Sequence, residues 1–353
     1  MPPSKKKNKK LNEAFVNLIC KFVSDIKNGK LRGSTNIALA MVTLLETIIN
    51  QSKHDNVSDL LGAVRGAGRR VSGALPHAPA AANMARRVLR AIRDESRAAA
   101  CQGGEAVGES LARLVLAPSA RRLTLSGGSA PLDLREPLRA VLGELRSELE
   151  GAESAVCSAA RDHLQADELI LTYGASPLVE RALRTGNRNY RLIVAEGPDF
   201  RESQAMASRL SAAGLSVTVV SAAAVYAVMS RVNKVVLSAA AALCGGAVLL
   251  APGARAVTAA ARRHCVPVLA LAPLHVLCPL HVADSAQYAA LSSPADCMPY
   301  ERHETCEAQV YAPRDDFAPP DHVTLFITNL GGSSPSYMYR MLSELYDPSD
   351  HTL

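Results

Sequence analysis

Two short apolar runs limit this chain's architecture more than any other feature, and both lie in the stretch from Ala227 to Pro273. Val232–Leu237 and Val266–Leu271 are too short for solitary helices and too uniformly apolar for a sheet with one wet face. Such runs belong to strands buried on both faces, as in parallel sheets covered by helices above and below. Between them Pro252 and Gly253 punctuate the chain, and Ala254–His264 has helical composition with a basic end. Strand, loop, helix and strand form a βαβ unit with a right-handed crossover. Ligands of such sheets bind where strands end and loops begin. The loop in question, Ser238–Gly246, reads SAAAALCGG and holds no acid, His or Lys. It offers no carboxylate, imidazole or amine for general acid or base chemistry.

The same alternation extends both ways. Strands are expected at Glu168–Thr172, Tyr190–Ala195, Leu215–Val220 and Val323–Thr328, with helices between them and a last helix over about 335–346. Residues 166–353 therefore read as an α/β domain with a doubly wound, mostly parallel, Rossmann-like sheet. Upstream, apolar residues recur at helical spacing in four segments, such as Met41, Leu44, Leu45, Ile48 and Met84, Val88, Leu89, Ile92. Residues 11–130 are thus an all-α N-terminal domain, with a poorly ordered segment over 101–130 where glycine pairs interrupt a patternless Ala/Ser/Leu mixture. A helix within 131–165 bridges the two domains. Arg86, Arg87, Arg90 and Arg93 lie on the polar side of the fourth helix, a charged face that reads as solvated or as a grip for an acidic partner.

The net charge of +6 invites a nucleic-acid reading, but Lys5, Lys6, Lys7, Lys9 and Lys10 supply five of those charges. The body is close to neutral, so residues 1–10 read as a basic, disordered tail and no direct nucleic-acid binding is expected. No apolar run approaches the roughly 20 residues of a membrane span, and no signal-peptide h-region stands at the N-terminus. Eight scattered Cys without a CxxC pair fit reduced thiols in the cytosol better than a disulfide framework. No membrane partner is expected.

Candidate sites are few. Thr172, Gly174 and Ser176 lie on a small-residue turn from strand to helix, where free N–H groups attract phosphate or carboxylate; a tight turn with no ligand fits equally well. Gly66-Ala67-Gly68 sits inside a helix with no strand before it, which removes it as a dinucleotide fingerprint. His275, Cys278, His281, Cys297, His303 and Cys306 lack the tight pairs of a metal site, so neither metal nor cofactor is expected. No Ser/His/Asp set can be assembled, so no catalytic residue is named. Near the C-terminus, Leu277, Leu280, Tyr337, Tyr339, Leu342, Leu345 and Tyr346 belong to segments apolar on nearly every side, which predicts an interface with a permanent partner.

Three stretches carry a resemblance: AVMSRVNKVV at 227–236, GRR at 68–70 with NMARRVLRAIRDE at 83–95, and TLFITNLGGSSPSYMYRMLSELYDPSDH at 324–351. They are similar to the family of regulatory subunits (alpha, beta, delta) of eukaryotic translation initiation factor 2B, most of all its beta branch. That family shares its sheet domain with the methylthioribose-phosphate isomerases. The isomerases carry an Asp in a Gly-Ala-Asp loop and an Asn-Lys-x-Gly-Thr segment; here those places read Ser238-Ala239-Ala240-Ala241 and Leu249–Ala254. Ser221 stands where the beta branch commonly has Asp. The resemblance implies a cytosolic, non-catalytic subunit that joins delta, alpha, gamma and epsilon subunits, exchange residing on epsilon. It implies contact with the alpha subunit of initiation factor 2, and sensing of its phosphorylation, through a cleft to which Arg135, Arg139 and Glu144 are assigned. A phosphosugar isomerase is the alternative.

Overall fold

The computed structural model describes residues 3–51, 57–102, 135–186, 189–282, 290–296, 298 and 309–353. Four helices come first: α1 (Pro3–Lys27), α2 (Ser34–Gln51), α3 (Val57–Ala74) and α4 (Pro79–Gln102). Each turns its apolar stripe inward, with Met41, Val42, Leu45 and Ile48 of α2 and Met84, Val88, Leu89 and Ile92 of α4 almost wholly buried. The lysines expected as a disordered tail are drawn into α1, for Lys is a good helix former and nothing in that segment breaks the helix. Gly29, with φ of +69°, ends the first helix. Gly68 is a packing residue: a Cβ there would stand 2.8 Å from the Ala85 Cβ and 3.3 Å from the Leu353 side chain. Residues 103–134, and with them most of the 101–130 segment, lie outside the described residues.

Helix α5 (Arg135–Arg161) is long enough, at roughly 40 Å, to serve both halves. Its Leu138, Leu142, Leu145 and Leu149 enter the helical core, while Val156, Cys157 and Ala160 enter a core beneath the sheet.

The α/β half contains β1 (Leu169–Tyr173), α6 (Pro177–Thr185), β2 (Arg191–Ala195), α7 (Phe200–Ala212), β3 (Ser216–Val220), α8 (Val225–Met229) and β4 (Lys234–Ser238). After β5 (Ala241–Leu243) and β6 (Val248–Leu250) come α9 (Ala254–Arg263), β7 (Val268–Leu271), β8 (Leu277–Cys278) and β9 (Asp316–Ala318). It closes with β10 (Leu325–Thr328), β11 (Gly331–Ser333) and α10 (Met338–Leu345). The main sheet has the order β11-β10-β7-β4-β1-β2-β3. All its pairings are parallel except the β10–β11 hairpin. The apolar runs at 232–237 and 266–271 supply β4 and β7, which pair directly with Val236 opposite Leu269.

Two expectations change. The segment Ser238–Gly246 is not a bare loop: Ala241–Leu243 forms β5, which hairpins onto β6 and joins β8 and β9 in a second sheet of four strands. Alanines give little strand signal, yet they can be buried completely at small cost, and Gly246 turns the hairpin at φ of +80°. Helix α10 is amphipathic rather than apolar all round: Met338, Met341 and Leu342 are buried while Tyr339, Arg340, Ser343 and Glu344 face out.

Candidate functional site

The carboxyl edge of the parallel sheet is where such folds bind phosphates, and here its N–H groups are taken. At the β1–α6 turn Thr172 is buried, and the Gly174 N–H (φ +67°) donates to the Ala195 carbonyl at 2.9 Å. A Cβ at Gly197 would fall 2.7 Å from the Gly174 Cα, so the β2–α7 loop already fills the space above the turn. Ser176 caps α6, its Oγ accepting from the Val179 N–H at 3.4 Å. Asp199 caps α7 in the same manner, taking the N–H groups of Arg201 and Glu202 at 2.9 and 3.2 Å. At α9 the chain uses a distant carboxylate. Asp316 of β9 accepts from the N–H of Gly253 at 2.9 Å and of Arg255 at 3.1 Å, the position an incoming phosphate would otherwise occupy. The Tyr173 hydroxyl closes this corner by donating to the Pro252 carbonyl at 2.7 Å. Burial, reinforced by Asp316, raises the Tyr173 pKa, so this phenol stays protonated at neutral pH. The neighbouring Ala239, Ala241, Ala242, Leu243 and Cys244 are all buried. Thr172, Gly174 and Ser176 are thus brought together as expected, with the Ser176 hydroxyl and the Gly174 N–H already engaged.

The arginine face of α4 has an occupant that the sequence did not disclose. Residues 347–353 run back across α3 and α4 as a strap. Asp350 is wholly buried and receives Arg65 of α3 at 2.8 Å and Arg93 of α4 through both guanidinium nitrogens, the Nη2 bond being 3.0 Å. Arg86 donates to the backbone oxygens of Asp350 and His351 at 3.2 and 3.1 Å, and to Asn83 Oδ1 at 3.0 Å. Arg69 reaches the Leu353 carbonyl at 3.0 Å, and Arg90 the Glu344 carbonyl. The strap's Ser349 and the arginines Arg93 and Arg97 hold the Asp347 carboxyl below its usual range, outweighing the opposing effect of burial. Arg87 is the exception on this face: it pairs twice with Glu148 of α5, at 2.8 and 2.6 Å. Two of the stretches carrying the family resemblance, 83–95 and 324–351, are therefore partners in space.

A second seam runs beside the strap. Tyr346 is completely buried and its hydroxyl donates to the Leu277 carbonyl at 2.7 Å. His275 is buried with Nε2 3.0 Å from the Ser34 Oγ and its carbonyl accepting from Asn83 at 3.1 Å. Burial, followed by Arg87, pushes the His275 pKa down to about 4, so the ring is neutral. His275 and Cys278 thus serve the joint between the halves, whereas Cys297, His303 and Cys306 lie outside the described residues. Among the described residues no group of three or more His, Cys, Asp or Glu is placed to hold a metal.

Of the residues expected at a partner interface, Leu277, Leu342 and Tyr346 are corrected. The chain's own sheet and helices bury them, because α10 and Tyr346 fold into the core that also holds Leu277 instead of standing free. Leu280 and Leu345 are half-buried, and Tyr337 and Tyr339 are exposed, at 42% and 63%. Leu330, 72% exposed in the β10–β11 turn, extends that surface and was missed because a lone Leu beside two glycines carries no periodic signal. Arg139 and Glu144 are exposed on α5, and Arg135 opens the same helix. Among the described residues Arg139 pairs only with Glu136, one turn away, at 3.0 Å.

Comparison with known proteins places this geometry. The model of the Initiation factor 2 subunit family matches residues 30–335. The translation initiation factor eIF2B subunit beta of Schizosaccharomyces pombe is 32% identical over 384 residues, covering 95% of this chain and 97% of that protein. The crystal structure of eIF2B beta from Chaetomium thermophilum aligns with a TM-score of 0.75 at 26% identity, covering 99% of this chain and 98% of that one. A chain of the tetrameric eIF2B-beta2-delta2 complex from the same organism aligns with a TM-score of 0.71 at 25% identity, covering 98% and 100%.

Proposed function

The chain belongs to the initiation factor 2 subunit family, and on that premise we propose that it acts as a beta-type regulatory subunit of initiation factor 2B, the guanine-nucleotide exchange factor for initiation factor 2. It carries no catalysis of its own. It pairs with a delta subunit, joins alpha, gamma and epsilon subunits in the cytosol, and presents the first turns of α5 to the alpha subunit of initiation factor 2, whose phosphorylation the assembly senses.

The observation that carries this reading is the condition of the sheet's carboxyl edge. An isomerase needs an acid or base within hydrogen-bond reach of its sugar phosphate and free N–H groups for the phosphate. Here the segment 239–244 presents methyl groups, one isobutyl group and a thiol, while Ser176, Asp199 and Asp316 engage N–H groups at three helix starts. A fold kept intact around a disarmed crevice fits a scaffold. The near-complete alignment with a protein from a beta2-delta2 assembly supports delta as the partner. Exposed Tyr337, Tyr339 and Leu330 offer the apolar surface such pairing uses.

The test is to express the full chain with and without a delta subunit and measure mass by sedimentation, then exchange by the reconstituted complex with plain and phosphorylated initiation factor 2. The expected result is a stable hetero-oligomer whose exchange is inhibited by the phosphorylated factor. The Arg139→Glu variant should assemble normally and bind the factor's alpha subunit less well. No association with delta, together with turnover of methylthioribose-1-phosphate by the purified chain, would overturn the reading.

A further inference from the structure

A groove on the helical half, away from the sheet, has a chemistry the assembly proposed above does not use. It has a volume of about 530 Å³ and is lined by Val16, Ile19, Cys20, Val23 and Lys27 of α1 with Arg70 and Ala74 of α3, among others. That size lies within the roughly 300–1,000 Å³ range of built binding sites. The α1 residues recur at the three- and four-residue spacing of a single helix ridge, and the two α3 residues are four apart, so the walls are two helix ridges with a trough between them. Val16, Val23 and Ala74 are half-buried, while Cys20, Lys27 and Arg70 are exposed.

The charges of the lining are one-sided: two cations and no acid. Neither Lys27 nor Arg70 has an ion-pair partner among the described residues, and Asp25, two residues before Lys27, is paired with Lys30 at 3.5 Å. The depression beside α6 differs, for Arg181 there pairs with Glu153 at 2.7 Å and Arg184 stands 3.9 Å from Glu180. An apolar trough between helix ridges takes a third helix's apolar stripe. Unmatched cations on its lining favour acids beside that stripe.

We propose that the α1–α3 groove is a docking site for an acidic amphipathic helix of a partner protein, its apolar stripe laid along Val16, Ile19 and Val23 and its carboxylates meeting Lys27 and Arg70.

The test uses the full chain and two synthetic helices with leucines at every third and fourth position, one with glutamates beside the stripe and one with lysines there. Binding is read by fluorescence anisotropy, and occupancy by the alkylation rate of Cys20, with exposed Cys265 as the internal control. The acidic helix should bind, slow alkylation of Cys20 but not Cys265, and bind more weakly in higher salt. The Lys27→Glu/Arg70→Glu variant should lose about tenfold in affinity for it, as two pairs of up to about 1 kcal/mol each allow. An unchanged thermal unfolding profile would show that the variant remains folded. Equal binding of acidic and basic helices, or no change in the variant, would overturn the proposal. So would Cys20 that reacts slowly in the free chain and quickly once residues 103–134 are deleted, since the chain's own segment would then be the occupant.

Discussion

Arginines on α4 and charged residues early in α5 stand on neighbouring helices and have opposite fates. Arg86 and Arg93 are 2% and 9% exposed and bound to a segment more than 250 residues away, whereas Arg139 is exposed and, among the described residues, pairs only within its own helix. Both sets look alike in sequence, as basic residues on the polar side of an amphipathic helix. The difference lies in what the fold delivers to them. A guanidinium matched by a buried carboxylate is part of the structure; one left in water is available to another molecule. The same division separates the sheet's crevice from the α1–α3 groove. In the first, capping oxygens come from the chain itself, and in the second the cations are unmatched.

The strap gives the sharpest way to break this comparison. Asp350→Ala leaves Arg93 deep in the joint with only the longer contact to Asp347 at 3.6 Å, and removal of one member of a buried pair costs up to about 3–5 kcal/mol. Denaturant unfolding of the variant should show that loss; a change below about 1 kcal/mol would mean the strap is incidental. Tyr346→Phe removes only the hydroxyl facing the Leu277 carbonyl, leaving a buried acceptor unpaired at about 1–3 kcal/mol, measured the same way.

His275 supplies a pH-dependent effect on the same joint. Its folded pKa, about 4, lies below the ordinary value of 6.5, so between these pH values the unfolded chain binds the extra proton. Its contribution to stability should be complete above about pH 6.5 and fall away as pH drops toward 4. Unfolding measured across that window should be flatter for His275→Gln than for the parent chain. Asp316→Ala should cost about 0.5–2 kcal/mol as a lost cap, and it should free the Gly253 and Arg255 N–H groups. Added sulfate should then stabilise the variant more than the parent. At the small end, Arg139→Ala should shift stability by less than about 0.5 kcal/mol, with any effect confined to partner binding.

The elements that could be read from the sequence were those whose environment is uniform along their length. Strands β4, β7 and β10 are buried on both faces, and their Val/Leu-rich runs announce it. Helices α2 and α4 show the helical period because one side meets a single core. What escaped was decided at long range. The β5 alanines acquire strand geometry only from β6 and β8, and α10 becomes amphipathic only because Met338, Met341 and Leu342 enter the core shared by both sheets. The sequence leaves the arginine face open between solvent and an acidic partner because Asp350 is 257 residues beyond Arg93, a separation no periodicity bridges. Thr172, Gly174 and Ser176 share one turn, visible in the sequence, but the obstruction by Gly197 and the Asp316 cap at α9 belong to loops distant in sequence.

The position of the strap in the chain also orders events in time. Protein synthesis proceeds at roughly 5–20 residues per second, so Arg93 leaves the ribosome roughly 10–50 s ahead of Asp350. During that interval the helical half can collapse, but the guanidiniums meant for Asp350 have only water to bind. A nascent chain interrupted before residue 347 has no means of closing the joint and exposes a basic patch instead. Synthesis of the strap is thus registered in the molecule as the disappearance of a cationic surface.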